Sequence, residues 1–260
     1  MPQPTRETID LDGCRLALHR AGNGPPLLYL HGAGGHTWWP FLDRLAERYT
    51  VWAPEHPGFG ASDDPPWLDN TADLAYFYLD LLAERGLHGM HLIGESLGGW
   101  VALELAIRDA ARLKSLTLVG AAGIRLVGVE KTDIFILTPD KLAAKLFFNA
   151  DYAQAFVEQA GHPDNLSTGF KNQLTAARLG WNPRFANLHL AKWLHRITLP
   201  THIVWGAQDG IVPLAYAHEF QRLIPHARLS VIEQAGHLPQ AEQGEAFIAA
   251  CIAFFGEIAP

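Results

Sequence analysis

The stretch Gly94-Glu95-Ser96-Leu97-Gly98-Gly99 decides the fold, because it places a serine in a sharp turn between two regular elements. The apolar run 90–93 before it predicts a buried strand, and the run 100–106 after it predicts a helix. A Gly-x-Ser-x-Gly turn in this context is typical of a nucleophile elbow, which holds the Ser96 hydroxyl clear of both elements. The first and last glycines of the motif are needed because a Cβ atom there would collide with the neighbouring strand or helix.

A serine alone is a weak nucleophile, so this interpretation requires a general base and an acid that orients the base. The strand-like runs 201–206 and 228–232 are followed by Asp209 and His237, in the chain order serine, acid, histidine. Each lies just after the C-terminal end of a predicted strand, at the edge where open α/β sheets bind ligands. We therefore predict Ser96 as nucleophile, with these two residues as orienting acid and base.

Other carboxylates compete with the predicted acid. Glu233 is too close in sequence to His237 to be favoured, and Asp109 lies at the far end of the helix that follows the serine. Gly120, after the sixth predicted strand, occupies the alternative acid position and has no carboxylate. Glu95 is expected to be a partly exposed charge without a catalytic role.

A glycine-rich loop can supply part of an oxyanion hole. The short apolar strand 27–30 leads directly into the loop His31-Gly32-Ala33-Gly34-Gly35. A developing oxyanion needs two backbone N–H donors. We predict that Leu97 provides one donor and Ala33 the other, with Gly34 as the second choice.

Together with Pro57-Gly58-Phe59-Gly60-Ala61-Ser62, these landmarks fall in the order found in α/β-hydrolase-fold serine hydrolases, and the chain resembles that family nearly end to end. The resemblance implies an α/β fold whose mostly parallel, doubly wound sheet carries a helical cap inserted after the sixth strand. Carboxylesterases, carbon–carbon bond hydrolases, lactonases and perhydrolase-type haloperoxidases share this pattern. Epoxide hydrolases and haloalkane dehalogenases use an aspartate nucleophile, and Ser96 argues against both.

The order of strands and helices along the chain predicts a division into a core and a cap. Residues 1–121 and 196–260 alternate strand and helix patterns and are predicted to form the hydrolase core. Residues 122–195 lack strand patterns and are predicted to form the helical cap, with helices at 139–148, 151–160, 165–180 and 188–195. The resemblance implies that the cap lends apolar residues to the substrate pocket. The pocket candidates are Gly34, Trp38, Trp39, Phe147, Trp181 and Trp193.

Composition narrows the class of protein further. A chain of 260 residues is long enough for one large core, and its net charge of −7 argues against nucleic acid as a partner and against steering of strongly anionic substrates. The two cysteines do not imply a disulfide scaffold. Neither an N-terminal signal region nor a run of membrane-spanning length is present in the sequence, so we expect a cytoplasmic enzyme with no membrane partner.

A carboxylic ester hydrolase acting on small apolar substrates through an acyl-enzyme, without metal or cofactor, is the leading hypothesis. The runner-up is a carbon–carbon bond hydrolase of meta-cleavage diketone acids. Members of that group usually carry a tryptophan directly after the catalytic histidine, where this chain has Leu238, and use a cap arginine for the substrate carboxylate, for which Arg178 and Arg184 are candidates. Perhydrolase-type activity is the third hypothesis. A ligand receptor with slow turnover is the alternative from another class.

Overall fold

The computed structural model describes residues 4–258, and within them eight strands form one sheet. The strand order is β1-β2-β4-β3-β5-β6-β7-β8, with β1 and β2 antiparallel to their neighbours and all other pairs parallel. The strands are β1 Thr5–Leu11, β2 Cys14–Ala21, β3 Pro26–Leu30, β4 Thr50–Pro54, β5 Met90–Glu95, β6 Leu113–Val119, β7 Thr201–Gly206 and β8 Arg228–Ile232. The mostly parallel sheet predicted from the sequence is confirmed.

Nine α-helices connect and cover these strands in the described part of the chain. They are α1 Pro40–Ala46, α2 Thr71–Glu84, α3 Leu97–Arg108, α4 Pro139–Leu146, α5 Ala150–Gly161, α6 Pro163–Gly180, α7 Ala215–Leu223, α8 Pro239–Glu242 and α9 Gly244–Gly256. Two 3₁₀ helices, Ile134–Ile136 and Leu190–Arg196, lie between β6 and β7. None of the helices in residues 4–258 combines the length and apolar character that crossing a membrane requires.

The central strands are rich in apolar residues because both faces of the sheet are covered by helices. Strands β4, β5 and β7 are buried at every residue, as parallel strands between helical layers are. Successive side chains point to opposite faces, so Leu92 packs with the core on one side of the sheet and Ile93 with the core on the other. This sandwiched sheet is a rigid base for the loops at the carboxyl ends of its strands.

The segment between β6 and β7 departs from the sequence prediction in two places. Helix α6 begins at Pro163 rather than at Asn165, because proline is pre-organised for the first helical position and His162 caps the helix by accepting a hydrogen bond from the Asp164 N–H. The predicted last helix is the 3₁₀ segment Leu190–Arg196. The other predicted helices of this segment differ from the structure by one or two residues.

Candidate active site

Ser96 lies in a strained backbone turn between β5 and α3. Its φ of 50° and ψ of −110° are unusual for a residue with a side chain. The Ser96 N–H donates to the Val119 carbonyl at 2.8 Å, and the Ser96 carbonyl accepts from Ala122 at 3.0 Å and from Trp100 at 3.1 Å. These three hydrogen bonds hold the strained conformation in place.

The two glycines that flank the serine permit a close approach of backbones. A Cβ atom on Gly94 would lie 2.5 Å from the Gly98 carbonyl oxygen, and one on Gly98 would collide with the carbonyl oxygen of Leu30. Leu30 is the last residue of β3 and directly precedes the glycine-rich loop. The absence of side chains on these glycines therefore brings the serine turn against the loop predicted to bind the oxyanion.

The structure joins His237 to Asp209 in a buried pair. Nδ1 of His237 donates to Oδ2 of Asp209 at 2.8 Å, while Oδ1 accepts the backbone N–H groups of Ile211 and Val212 at 2.8 and 2.9 Å. Burial lowers the pKa of His237, but the Asp209 charge and hydrogen bond, with a smaller contribution from Glu95, outweigh it and leave that pKa raised. Because Nδ1 holds its proton toward Asp209, Nε2 is the ring nitrogen available as an acceptor.

His237 and Ser96 contact consecutive residues at the end of β6. The Ser96 N–H bonds to Val119, and the His237 ring lies so close to Gly120 that a Cβ there would be 3.0 Å from both Nδ1 and Cε1. The His237 N–H donates to the Leu146 carbonyl at 2.7 Å, so the end of α4 helps to position the histidine loop. The predicted base and nucleophile thus converge on one point of the sheet edge.

Both predicted oxyanion donors have unused backbone N–H groups. Leu97 is the first residue of α3, where helical N–H groups lack intrahelical partners and the helix dipole is positive. The N–H of Ala33 forms no hydrogen bond to any described residue, and Ala33 lines the same cavity as Ser96. Gly34, the second choice, is exposed and its carbonyl accepts from Asn172 at 2.9 Å. The geometry favours Ala33 over Gly34.

His31 fixes the shape of the oxyanion loop as a neutral ring. Its Nε2 accepts the His56 backbone N–H at 2.9 Å, so Nδ1 carries the proton and donates to the Gly32 carbonyl at 2.7 Å. Burial, with the neighbouring His56, holds the pKa of His31 well below its usual range. Both ring nitrogens are occupied, so His31 orients the loop and has no nitrogen left for proton transfer.

Helix α6 is tied to two loops of the sheet edge. Asn172 donates from Nδ2 to the Gly34 carbonyl and accepts the Gly60 N–H at Oδ1, each at 2.9 Å. One turn further along, Thr175 donates to the Gly58 carbonyl at 2.7 Å. The C-terminal half of α6 therefore braces the oxyanion loop against the turn at 57–62.

Glu95 is buried, and the expectation that it is a partly exposed charge is wrong. Its Oε2 accepts hydrogen bonds from the Tyr29 hydroxyl and from Nε2 of Gln240, the latter at 2.8 Å. Its Oε1 lies against the oxyanion loop, since a Cβ on Gly32 would be 2.6 Å from it. Burial raises the pKa of Glu95, and its hydrogen bonds together with the charge of His237 oppose that rise.

Ser96 and Ala33 open into a small cavity of about 30 Å³. That volume holds roughly one or two water molecules. Its other walls come from the segment after β6, from the segment after α6 and from the loop after β7: Lys131, Thr132, Ile134, Arg184, Phe185 and Val212.

The pocket candidates next to the oxyanion loop lie outside this cavity. Trp38 is half-buried and donates from Nε1 to Asp43 at 2.8 Å, and Trp39 is the residue from which α1 begins. Both pack against the core on the α1 side of the sheet.

The aromatic candidates of the predicted cap also lie outside the cavity. The ring of Phe147 stacks on Tyr152 of the following helix. Trp181 and Trp193 are about half exposed, and the Arg184 guanidinium lies 3.7 Å above the Trp181 ring. Phe147 and Trp181 pack against residues close to them in the sequence. Their position in the chain was therefore not enough to predict a place at the nucleophile.

Some cavity residues had a sequence signal and others had none. Ile211 and Val212 lie two and three residues after Asp209, so the position of the acid alone could have indicated them. Lys131 is a single lysine in an irregular segment, and no local pattern marks it. Of the two arginines, Arg184 lines the cavity, whereas Arg178 pairs with Asp64 at 2.9 Å.

Comparison with known proteins shows the family to which the chain belongs. The family model of the α/β hydrolase fold matches residues 25–243, so the chain belongs to the α/β hydrolase fold family and is a hydrolase. The 2-hydroxymuconate semialdehyde hydrolase of Pseudomonas sp. (strain CF600) is 29% identical over 269 residues, covering 95% of this chain and 92% of that protein. The pimeloyl-(acyl-carrier protein) methyl ester esterase of Aeromonas hydrophila subsp. hydrophila is 29% identical over 257 residues, covering 90% and 96%. The crystal structure of a bacterial membrane phospholipase A superposes with a TM-score of 0.83 at 24% identity, covering 98% of this chain and 86% of that chain.

Proposed function

We propose that this hydrolase cleaves carboxylic esters through an acyl-enzyme formed on Ser96. The observation that carries the proposal is the arrangement of Ser96 in its strained turn, sharing a cavity with Ala33, beside a His237 ring held by Asp209 at 2.8 Å. In this proposal residues 1–121 and 196–260 form the catalytic core and residues 122–195 the cap. The esterase relative of Aeromonas, named for a methyl ester, supports an ester substrate.

The proposed cycle needs only these side chains and water. Oγ of Ser96 attacks the ester carbonyl carbon while Nε2 of His237 accepts its proton, and the N–H groups of Ala33 and Leu97 bind the oxyanion. The acyl C–O bond then breaks as His237 returns the proton to the departing alkoxide. Water attacks the acyl-enzyme with His237 again as base, which releases the acid and restores Ser96.

A panel of p-nitrophenyl esters of increasing acyl length tests this proposal. Ser96→Ala should abolish turnover while the fold stays intact, and the exposed serine variant Ser167→Ala should retain wild-type rates. A serine-directed organophosphonate should add one equivalent of mass at Ser96. Labelling at another serine, or wild-type turnover by Ser96→Ala, would contradict the proposal.

A carbon–carbon bond hydrolase is the second candidate function. Arg184 at the cavity and the 2-hydroxymuconate semialdehyde hydrolase relative favour it, and Leu238 directly after His237 argues against it. Adding a meta-cleavage diketone acid to the panel decides between the two. Efficient diketone cleavage that collapses in Arg184→Ala would promote this candidate, and a single burst without turnover on any substrate would indicate a receptor.

A further inference from the structure

Lys131 brings a partly buried ammonium group to the cavity that contains Ser96. Two of its three N–H donors are used: Nζ donates to the Ile124 carbonyl at 2.9 Å and to the Phe185 carbonyl at 2.6 Å. Within residues 4–258, no acceptor takes the third N–H, and no carboxylate lies within 4 Å of Nζ. Among the described residues, the one charged side chain that shifts the pKa of Lys131 is Arg125, which has the same sign.

The second cation of the cavity differs from Lys131 because it is already neutralised. Arg184 donates from Nε to Asp133 at 2.9 Å, and its guanidinium also bonds the Trp181 carbonyl and stacks on the Trp181 ring. Lys131 is therefore the cation in this cavity without a counter-charge among the described residues. Burial, with a smaller contribution from Arg125, lowers the pKa of Lys131 to about 8. Withdrawing an ammonium from water without an anion beside it costs free energy, so an arriving anion would relieve that cost.

A purely structural role explains only part of this arrangement. Lys131 joins the segment after β6 to the segment after α6 with two hydrogen bonds, which it donates to the Ile124 and Phe185 carbonyls. The remaining N–H donor has no acceptor among residues 4–258, and the charge faces only the Tyr216 ring there, 5.4 Å from Nζ, with no anion. No aspartate or glutamate in the described part of the chain lines the cavity, so its local charge is positive although the whole chain is acidic. Because charges further away than about 8 Å are largely screened at physiological salt, the local cation outweighs the net charge.

We propose that Lys131 binds a free carboxylate of the substrate, so that the preferred esters are half-esters of short dicarboxylic acids. The inference rests on the proposed ester hydrolysis at Ser96 and replaces the expectation of a purely apolar substrate. The carboxylate would take the third N–H of Lys131 while the ester carbonyl lies at Ser96 and Ala33. Thr132 and Ile134, also at the cavity, would border the chain between the two groups.

The test compares two substrates that differ only in charge. The monoethyl esters of succinic, glutaric and adipic acid are each paired with the half-amide in which a carboxamide replaces the carboxylate. For at least one chain length, kcat/KM at pH 7 should favour the acid over the amide by about tenfold or more, as expected for a hydrogen bond between two charged groups. Amides that match or exceed their acids at every length would overturn the inference.

The pH dependence of this preference identifies the group responsible. Since Lys131 loses its proton near pH 8, the acid-to-amide ratio should fall between pH 7 and pH 9. The charged and titratable groups around it are Arg125, the Arg184–Asp133 pair and the Tyr216 ring, 5.4 Å from Nζ. Titration of His237 affects both substrates alike and cancels in the ratio. A ratio that stays constant to pH 9 would contradict a role for the Lys131 charge.

Variants at Lys131 separate binding from folding. Lys131→Met should reduce the acid-to-amide ratio about tenfold, and Lys131→Arg should restore much of it because the positive charge returns. Lys192→Met, which removes an exposed lysine, should leave the ratio unchanged. If Lys131→Met unfolds, Lys131→Gln keeps two N–H donors for the carbonyls and still lacks the charge.

Failure of the inference is distinguishable from failure of the proposed function. Hydrolysis of the half-amides that is lost in Ser96→Ala, without preference for the acids, leaves ester hydrolysis standing and removes the anion site. Absence of hydrolysis for all acids, amides and p-nitrophenyl esters contradicts the proposed function itself.

Discussion

Gln240 donates from Nε2 to Glu95 at 2.8 Å, and so connects the helix after the histidine loop to the strand that carries the nucleophile. Tyr29 bonds to the same carboxylate oxygen and adds strand β3, which leads into the oxyanion loop. The three segments that carry Ser96, His237 and the oxyanion loop therefore meet behind the site at one buried carboxylate.

Removing that carboxylate charge should shift the pH profile of ester hydrolysis. His237 must be neutral to act as base, and its raised pKa places the acid limb of kcat/KM above pH 6.5. The negative charge of Glu95 helps to raise this pKa, so Glu95→Gln should move the limb to lower pH. The exposed control Glu84→Gln should leave it in place. A limb that stays or moves upward in Glu95→Gln would contradict the coupling.

Loss of the orienting acid should affect turnover far more than substrate binding. Asp209→Asn should reduce kcat by a large factor, roughly up to 10⁴, because the carboxylate fixes the His237 tautomer and stabilises its charge. KM should change much less, since Asp209 holds the histidine rather than the substrate. Glu233→Gln removes an exposed carboxylate and should be close to neutral. Reversed results for the two variants would show that the acid has been misassigned.

A methyl group at Gly120 should displace the catalytic base. Its Cβ would lie 3.0 Å from two atoms of the His237 ring, so Gly120→Ala should lower kcat by about tenfold to a hundredfold. Gly128 is the matched control, because it also has a positive φ but no atom within 4 Å of an added Cβ. Both variants place an alanine at a positive φ and should lose stability, which thermal melting measures. Only Gly120→Ala should also lose activity. Equal activity in the two variants would rule out the contact.

Buried neutral histidines should make the fold sensitive to acid. Burial, with a smaller contribution from Arg228, lowers the pKa of His202 from 6.5 to about 4; its Nε2 bonds to Ser230 and its Nδ1 has no partner among the described residues. The unfolded chain takes up a proton near pH 6.5 and the folded chain does not, so this part of the stability is present above pH 6.5 and is lost toward pH 4. One such histidine can account for roughly 3 kcal/mol. Buried histidines with the same direction of shift are His31, His36, His56 and His91.

Urea unfolding as a function of pH measures this effect. His202→Leu should flatten the fall in the free energy of unfolding between pH 6.5 and pH 4, whatever its effect at neutral pH. The exposed variant His88→Leu should keep the wild-type slope. An unchanged slope in His202→Leu would assign the acid sensitivity to the other buried histidines.

Local patterns predict the parts of this protein that depend on neighbours in sequence. Strands β7 and β8 have the predicted bounds, because a short run rich in apolar and β-branched residues between turns is visible in the residues themselves. The pair of Asp209 and His237 was predictable from where the strands end. The surroundings of Glu95 were not, since its partners Tyr29 and Gln240 are 66 and 145 positions away. The cationic cavity wall arises in the same way, from segments that meet only after folding.

The hydrogen bonds of Asn172 limit which part of the segment between β6 and β7 could be exchanged with that of another hydrolase. A lid grafted as a unit between residues 122 and 195 would replace Asn172 and Thr175, and with them the supports of the Gly34 and Gly58 carbonyls. The grafted segment would change substrate specificity and would also disturb the oxyanion loop. A splice placed between α4 and the exposed first half of α6 would leave those supports in the host. The unit that could be exchanged without loss of these supports is thus smaller than the whole segment between β6 and β7.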